Sequence, residues 1–211
     1  MRSRPSRRVV GALVATLAAA STIAGAATTP DAATLKRPEA FDSIADPRER
    51  STQLFLELGR VLQSPRCMNC HPRNRVPTQG EDLHTHNPPI DAGAPGHGPV
   101  GLPCATCHQA ANVDTRGASI AVIPGHPHWS LAPASMAWQH YSLAEICEQV
   151  KDPARNGGRT LAAIHEHLAT DTLVGWAWHP GAGRVPAPGT QAEFGRLVQA
   201  WIATGAACPT K

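Results

Sequence analysis

The sequence predicts one all-α, loop-rich domain over residues 46–211, and two observations lead to this fold class. Apolar residues recur at helical spacing in several short segments, whereas no run shows the alternation of apolar and polar residues that marks a strand. The 18 glycines and 20 prolines favour long connections between these segments. Only 4% of the residues are aromatic, so the core is predicted to be sparse in large side chains.

Four segments carry the signals of helices, and their order along the chain sets the architecture. They run from Asp46 to about Gln63, from Ser142 to about Lys151, from Thr160 to about Ala169, and from Thr190 to Gly205. The first begins with an aspartate cap and a proline, and the second and fourth begin with the capping boxes Ser-Leu-Ala-Glu and Thr-Gln-Ala-Glu. Residues 72–103 and 112–137 are predicted to be long loops, and loops of this length are usually functional.

Residues 1–26 have the pattern of a cleaved secretory signal peptide. Four arginines precede an apolar stretch from Val9 to about Ala20, and Ala24-Gly25-Ala26 supplies a small-x-small cleavage site. An uncleaved anchor is the alternative, although the apolar stretch is short for a membrane span. The pattern predicts export to the periplasm, and the small, polar, unpatterned residues 27–45 predict a linker before the domain.

Two copies of the sequence Cys-x-x-Cys-His stand at 67–71 and 104–108. Two thiols at this spacing can add to the two vinyl groups on one edge of a porphyrin, and the histidine that follows is then placed under the iron. The motif is therefore typical of covalently attached haem c. We expect two haems, held by Cys67, Cys70, Cys104 and Cys107, with His71 and His108 as the proximal iron ligands.

Zinc binding and thiol redox chemistry are the alternative interpretations of these motifs. Two CxxC pairs can form a closed four-thiolate zinc site, but a zinc ribbon needs no histidine after each pair and uses a shorter separation. A dithiol redox motif does not explain two copies without a strand–helix pattern around them. His71 and His108 are only 37 residues apart, too close for two separate monohaem domains, so one domain is predicted to share both haems.

The sixth ligand of each iron decides between an electron carrier and an enzyme, because a filled position gives a low-spin carrier and an open one admits small molecules. Four residues of the two loops are candidates: His86, His97, His128 and Met136. Each can instead be an exposed loop residue or a partner of a haem propionate. His165 and His167 are interpreted as ordinary helix residues.

Other side chains around the motifs can bind a haem without touching its iron. Guanidinium groups suit propionate carboxylates, with a solvated basic loop as the alternative, and four arginines bracket the first motif: Arg60, Arg66, Arg73 and Arg75. Indole rings can pack on a porphyrin or donate their N–H, with plain core packing as the alternative, and four are placed suitably: Trp129, Trp138, Trp176 and Trp178.

Cys147 and Cys208 are the two cysteines outside the motifs, out of six in the chain. In an oxidising compartment, an even pair that remains after the haem thiols predicts a disulfide. Two buried free thiols are the alternative, because cysteine also behaves as a small apolar residue.

The charge balance argues against several classes of partner. The four arginines of residues 1–26 account for the formal excess of positive charge, because the rest of the chain has 15 basic and 16 acidic side chains, a net charge of −1. A nucleic-acid-binding surface and a polybasic membrane patch are therefore not predicted. Membrane association is expected only if the signal peptide stays attached.

Three segments resemble those of a known family: residues 65–72 with the first motif, Leu-Ala-Pro-Ala-Ser-Met-Ala-Trp at 131–138, and Lys-Asp-Pro-Ala-Arg-Asn-Gly-Gly at 151–158. The family consists of small exported dihaem c-type proteins commonly labelled "isoquinoline 1-oxidoreductase subunit", and the resemblance covers about residues 50–208. It implies an electron-accepting partner of a molybdenum hydroxylase. Only the six motif residues carry over from the family. Beyond them, Cys147 and Cys208 are the only cysteines left for iron–sulfur clusters, and no part of the sequence indicates a molybdopterin site.

Together these features predict a single dihaem cytochrome c-type domain that acts in the periplasm. It is expected to carry electrons from a dehydrogenase or hydroxylase partner to a respiratory acceptor, as an electron-transfer protein or oxidoreductase subunit rather than a catalytic chain. The alternative is a peroxidase-like haem enzyme, or a haem sensor, with one open iron site. The chain is short for a dihaem peroxidase and has ample candidate sixth ligands, which favours the carrier.

Overall fold

The computed structural model describes residues 33–117 and 120–210, and over these ranges the fold is mostly α-helical with few strands, as predicted. The predicted signal peptide and residues 27–32 of the predicted linker lie outside the described residues. None of the helices in the two ranges has the length and apolar character of a membrane span.

The elements follow one another as a helical framework interrupted by two small hairpins. The α-helices are α1 (Pro47–Leu62), α2 (Pro65–Met68), α3 (Leu143–Lys151), α4 (Leu161–Thr170), α5 (Thr172–Gly175) and α6 (Gln191–Ala203). The strands are β1 (Thr78–Gln79), β2 (His84–Thr85), β3 (Val113–Asp114) and β4 (Val122–Ile123), paired antiparallel as β1–β2 and β3–β4. Strands of two residues are too short to show alternation, so the sequence did not indicate them.

The four predicted helices are confirmed as α1, α3, α4 and α6, and side-chain caps define where each begins. The Asp46 carboxylate accepts a hydrogen bond from the backbone N–H of Arg48 at 3.0 Å. Both predicted capping boxes form at the starts of α3 and α6, and the Thr160 hydroxyl accepts from the backbone N–H of Ala163 at the start of α4. The single-turn helices α2 and α5 were not predicted, because one turn has no periodic face to recognise.

The core lies where α6 packs against both α1 and α4. The ring of Phe55 in α1 is 4.9 Å, between centroids, from the ring of Trp201 in α6. Gly195 lets α6 approach α4 closely, because a Cβ at that position would lie 2.6 Å from the Cβ of Ala169. The same packing holds α4 in place along one wall of the cavity described below.

Residues 33–45 belong to the domain, although the sequence suggested a linker there. Leu35 and Phe41 are buried in the core, and Pro38–Phe41 forms a 3-10 helix. The backbone N–H of Lys36 donates to Glu57 at 2.9 Å, and that of Gly189 donates to the carbonyl of Ala33 at 2.7 Å. Two isolated apolar residues form no periodic pattern, so the docking of this segment could not be read from the sequence.

Cys147 of α3 is joined by a disulfide to Cys208, which follows α6, and this is the pair that the sequence left after the two motifs. Cys147 is fully buried within the core. The bond therefore ties the end of the chain to the helix that packs beside α1, across 61 residues of sequence.

Candidate cofactor site

A cavity of about 590 Å³ lies between the first motif, α1, α4 and the loop before α3. Its walls include Leu62, Ile164, Leu168 and Phe194, and Pro103 and Ala105 bring the second motif to its edge. Cofactor pockets are typically about 300 to 1,000 Å³ in volume and mostly apolar, with a few polar groups. The volume and the lining of this cavity fit that description.

The first motif forms a compact turn on the wall of the cavity. Cys67 lies in α2, and the backbone N–H of His71 donates to its carbonyl at 3.1 Å, which continues the helical path. Both thiols line the cavity. Desolvation raises the pKa of Cys67 to about 12 and that of Cys70 to about 11, so both are neutral thiols at pH 7.

His71 is held on two sides and presents one nitrogen to the cavity. Its Nδ1 lies 2.6 Å from the carbonyl oxygen of Met136, and its ring stacks on Trp138 with 3.5 Å between centroids and 6° between planes. A carbonyl only accepts, so Nδ1 must carry the proton, and Nε2 keeps a free lone pair. Desolvation lowers the pKa of His71 to about 4, which keeps the ring neutral.

The second motif repeats this arrangement nearer the surface. Nδ1 of His108 lies 2.7 Å from the carbonyl oxygen of Pro124, and the ring stacks on Trp129 at 4.8 Å and 13°. His108 is buried and desolvation lowers its pKa, whereas Cys107 is exposed. Because Nδ1 of His108 donates to this carbonyl, Nε2 of His108 is also unprotonated. One of the two thiols beside it, that of Cys107, is accessible to solvent.

Residues 124–138, here called the clamp segment, supply every one of these contacts. Pro124 and Met136 provide the two carbonyls, and Trp129 and Trp138 provide the two stacked rings. The segment is anchored to the first motif, because the backbone N–H of Trp138 donates to the carbonyl of His71 at 3.0 Å. The sequence predicted a loop with useful tryptophans, but backbone carbonyls have no sequence signature, so their pairing with the histidines could not be predicted.

The four predicted sixth-ligand candidates fall into two places. His86 lies beside the second motif, with its ring centre 5.8 Å from that of His108 and its Nδ1 2.9 Å from the carbonyl of Pro88. The other three line the cavity beside the first motif: His97, His128 and Met136. His97 and His128 are exposed, whereas Met136 is buried.

His167 is the functional candidate that sequence reasoning missed. It lines the cavity, and its Nδ1 lies 3.0 Å from the Asp171 carboxylate, one helical turn later. His71 lines the same cavity, and the positive charge that His167 can carry contributes, after desolvation, to lowering the pKa of His71. The sequence did contain one indication of this pair, because a histidine and an aspartate four residues apart near the end of a helix lie on the same face.

Two buried polar groups on the cavity wall lack hydrogen-bond partners among the described residues. They are Nε of Arg66 and Nε1 of Trp138. Arg66 is 3% exposed, and one of its two terminal nitrogens, Nη2, pairs with the Glu81 carboxylate at 2.7 Å. An unpaired buried donor costs about 1–3 kcal/mol, so the wall is suited to a ligand that brings acceptor oxygens. Arg66 and Trp138 are both among the residues predicted to bind propionates.

The other predicted arginines are engaged elsewhere or exposed. Arg60 pairs with Glu57 at 2.8 Å, and Arg75 donates to the carbonyls of Gly93 and Ala132 at 2.8 and 2.9 Å. Arg73 lies at the surface. Of the remaining tryptophans, Trp176 and Trp178 line the cavity.

The arrangement offers two neutral imidazoles, each beside its own pair of thiols. Among the described residues, no three or more His, Cys, Asp or Glu side chains are grouped to hold a metal ion. Comparison of the chain with protein-family models, curated proteins and solved structures gives no match.

The fold without a bound cofactor is expected to lose stability as the pH falls from 6.5 toward 4, because His71 is neutral in the fold and takes up a proton when the chain unfolds. Its pKa of about 4 lies below the unfolded value of 6.5, so its contribution is complete above pH 6.5 and is lost toward pH 4. We expect a loss of roughly 2 kcal/mol in the free energy of unfolding, allowing for access of solvent through the cavity.

Urea unfolding at pH 7 and pH 4.5 measures this loss of stability. His71→Gln should show a smaller fall, and an equal fall in this variant would contradict the assignment.

Proposed function

We propose that the chain is an exported dihaem c-type cytochrome that carries electrons between a dehydrogenase or hydroxylase and a respiratory acceptor. The observation that supports it best is the repeated state of the two motif histidines. In each motif, Nδ1 donates to a backbone carbonyl and leaves Nε2 free beside two thiols. A histidine that ligates a metal commonly donates its other N–H to such an acceptor, which sets its tautomer and orientation.

The residues present fit this cofactor at both motifs. Cys67 and Cys70 would hold one haem and Cys104 and Cys107 the other, with His71 and His108 as iron ligands. Each haem supplies one-electron exchange at its iron when bound. The unpaired donors of Arg66 and Trp138 support binding of carboxylates at the first site.

The chain's own residues do what an electron carrier needs. The clamp segment fixes both imidazoles through a carbonyl and a tryptophan, so neither ring has to reorient during a change of charge. Leu62, Ile164 and Phe194 give the first site apolar walls. The exposed position of Cys107 leaves the second site accessible to a protein partner.

A spectrum of the protein exported together with haem-attachment machinery tests this function. We expect a pyridine haemochrome count of two haems per chain and sharp low-spin bands in the reduced form. Absence of covalent haem would refute the proposal. One high-spin haem that binds carbon monoxide would favour the haem enzyme or sensor instead.

His86→Ala is expected to convert the second haem to a high-spin or carbon-monoxide-binding form. The ring centres of His86 and His108 are 5.8 Å apart. This is close to the separation of two imidazoles on opposite sides of one metal ion, because each metal–nitrogen bond is about 2 Å long and each ring centre lies beyond its nitrogen. Carbon monoxide titration of the reduced protein measures the change. His84→Ala is the matched control, because His84 is exposed and pairs with Asp82. No carbon monoxide binding by the His86 variant would contradict this assignment.

A further inference from the structure

His167 shares the cavity with His71 although α4 and the first motif lie far apart in the sequence. Its side chain is 34% exposed, and it contributes to the electrostatic environment of the His71 ring. The packing of α6 against α4 and the Thr160 cap hold the helix that carries it. A residue on a rigid helix can be placed more reproducibly than one on a loop.

The Asp171 carboxylate fixes the orientation of the His167 ring. One oxygen, Oδ2, lies 3.0 Å from Nδ1, and the other, Oδ1, accepts the backbone N–H of Leu173 at 2.8 Å at the start of α5. Although desolvation opposes it, hydrogen bonding from the backbone N–H groups of α5 lowers the pKa of Asp171, so the group is an ionised acceptor at pH 7. Desolvation also lowers the pKa of His167, so its ring is neutral at pH 7. Nδ1 of His167 then carries the proton, and Nε2 is left free. This is the carboxylate–histidine arrangement found behind many metal-bound imidazoles.

The other candidates on the cavity wall lack these features. His97 and His128 are exposed, and no hydrogen bond to their ring nitrogens is made by the residues that the structure describes. Met136 is buried, but its carbonyl is bonded to Nδ1 of His71, which ties its backbone to the side of the ring away from Nε2. Among the described residues of the cavity wall, only His167 combines a position on a packed helix with an orienting carboxylate.

We propose that Nε2 of His167 is the sixth ligand of the iron held by the first motif and that Asp171 is its positioning residue. This inference rests on the proposed function, because it requires a haem on Cys67 and Cys70. With His86 beside His108, it makes both irons bis-histidine centres. It assigns a role to a residue that the sequence suggested was an ordinary part of a helix.

Electron paramagnetic resonance of the ferric dihaem protein tests the proposal, with His167→Ala as the variant. About half of the iron is expected to change from low spin to high spin, since one of two haems loses a strong ligand. Added imidazole should restore the low-spin signal by occupying the vacated position. His165→Ala is the matched control, because His165 lies on the same helix but does not line the cavity.

If His167→Ala does not accumulate as folded protein, a second variant still tests the proposal. His167→Met supplies a sulfur ligand of similar reach, so one haem should gain the near-infrared charge-transfer band of methionine ligation and a higher potential. Asp171→Asn should stay low-spin but raise the potential of that haem, because the imidazole loses its anionic partner. A role of Asp171 confined to capping α5 would leave the potential unchanged.

The outcomes separate this proposal from the function on which it rests. Two haems with an unchanged low-spin spectrum in His167→Ala, or no sulfur-ligation band in His167→Met, would overturn the assignment of His167 and leave the cytochrome intact. A wild-type chain without covalent haem would overturn both together.

Discussion

Replacing Cys104 and Cys107 by serine is expected to halve the covalent haem content, from two haems per chain to one. A serine hydroxyl does not form the thioether that would hold the proposed haem, and the first motif keeps its own thiols, its own imidazole and its own cavity. Replacing Cys67 and Cys70 should halve the content in the same way. Mass spectrometry of the intact protein and a pyridine haemochrome assay measure both.

The two double variants should nevertheless differ in stability. The first motif faces the cavity of about 590 Å³, whereas Cys107 of the second motif is already exposed. Loss of the first haem leaves apolar walls without a partner, so that variant should unfold at the lower temperature. A Cys147→Ser and Cys208→Ser variant is the control for cysteine content and should keep two haems. An unchanged haem content in either motif variant would contradict the assignment.

Removing the disulfide is expected to lower the free energy of unfolding by about 4 kcal/mol, the value of the chain-entropy argument for a closed loop of this length. The bond closes 61 residues and ties the end of the chain to α3. Loss of the bond increases the conformational entropy of the unfolded chain and changes the folded structure less. Because a typical domain has only about 5–15 kcal/mol of net stability, this is a large fraction of the total.

Chemical unfolding of Cys147→Ala with Cys208→Ala, compared with wild type, measures this effect. Alanine suits both positions because Cys147 is fully buried among apolar residues and Cys208 packs against the same core. A single Cys208→Ala variant shows whether a free Cys147 thiol adds a further cost. A difference below about 1 kcal/mol would mean that the bond constrains little of the unfolded chain.

The sequence predicted the parts of the fold that depend on short-range chemistry. Asp46, Ser142 and Thr190 each cap the helix that follows within three residues, so a local pattern was enough to place α1, α3 and α6. The docking of Leu35 and Phe41 depends instead on contacts with residues distant in sequence, and no local pattern announces them.

In the candidate site, too, features that depend on local sequence could be predicted, and features that depend on tertiary structure could not. The positions of the motif cysteines and histidines follow from their spacing. The carbonyls of Pro124 and Met136 could not be predicted, since every residue has a carbonyl and only tertiary structure selects two of them. The position of His167 on the cavity wall could not be predicted for a related reason, because it depends on which side of α4 faces the cavity.

The clamp segment also has a thermodynamic consequence. A single stretch of 15 residues, 124–138, contacts the imidazoles of both motifs, so any shift that one ring imposes on it reaches the other. Linkage requires such coupling to be reciprocal: if reduction at one iron changes the affinity of the other for an electron, the second changes the first by the same free energy. If two haems are attached as proposed and are coupled in this way, the two midpoint potentials are macroscopic properties of the pair, and neither can be assigned to one iron by its own ligands alone.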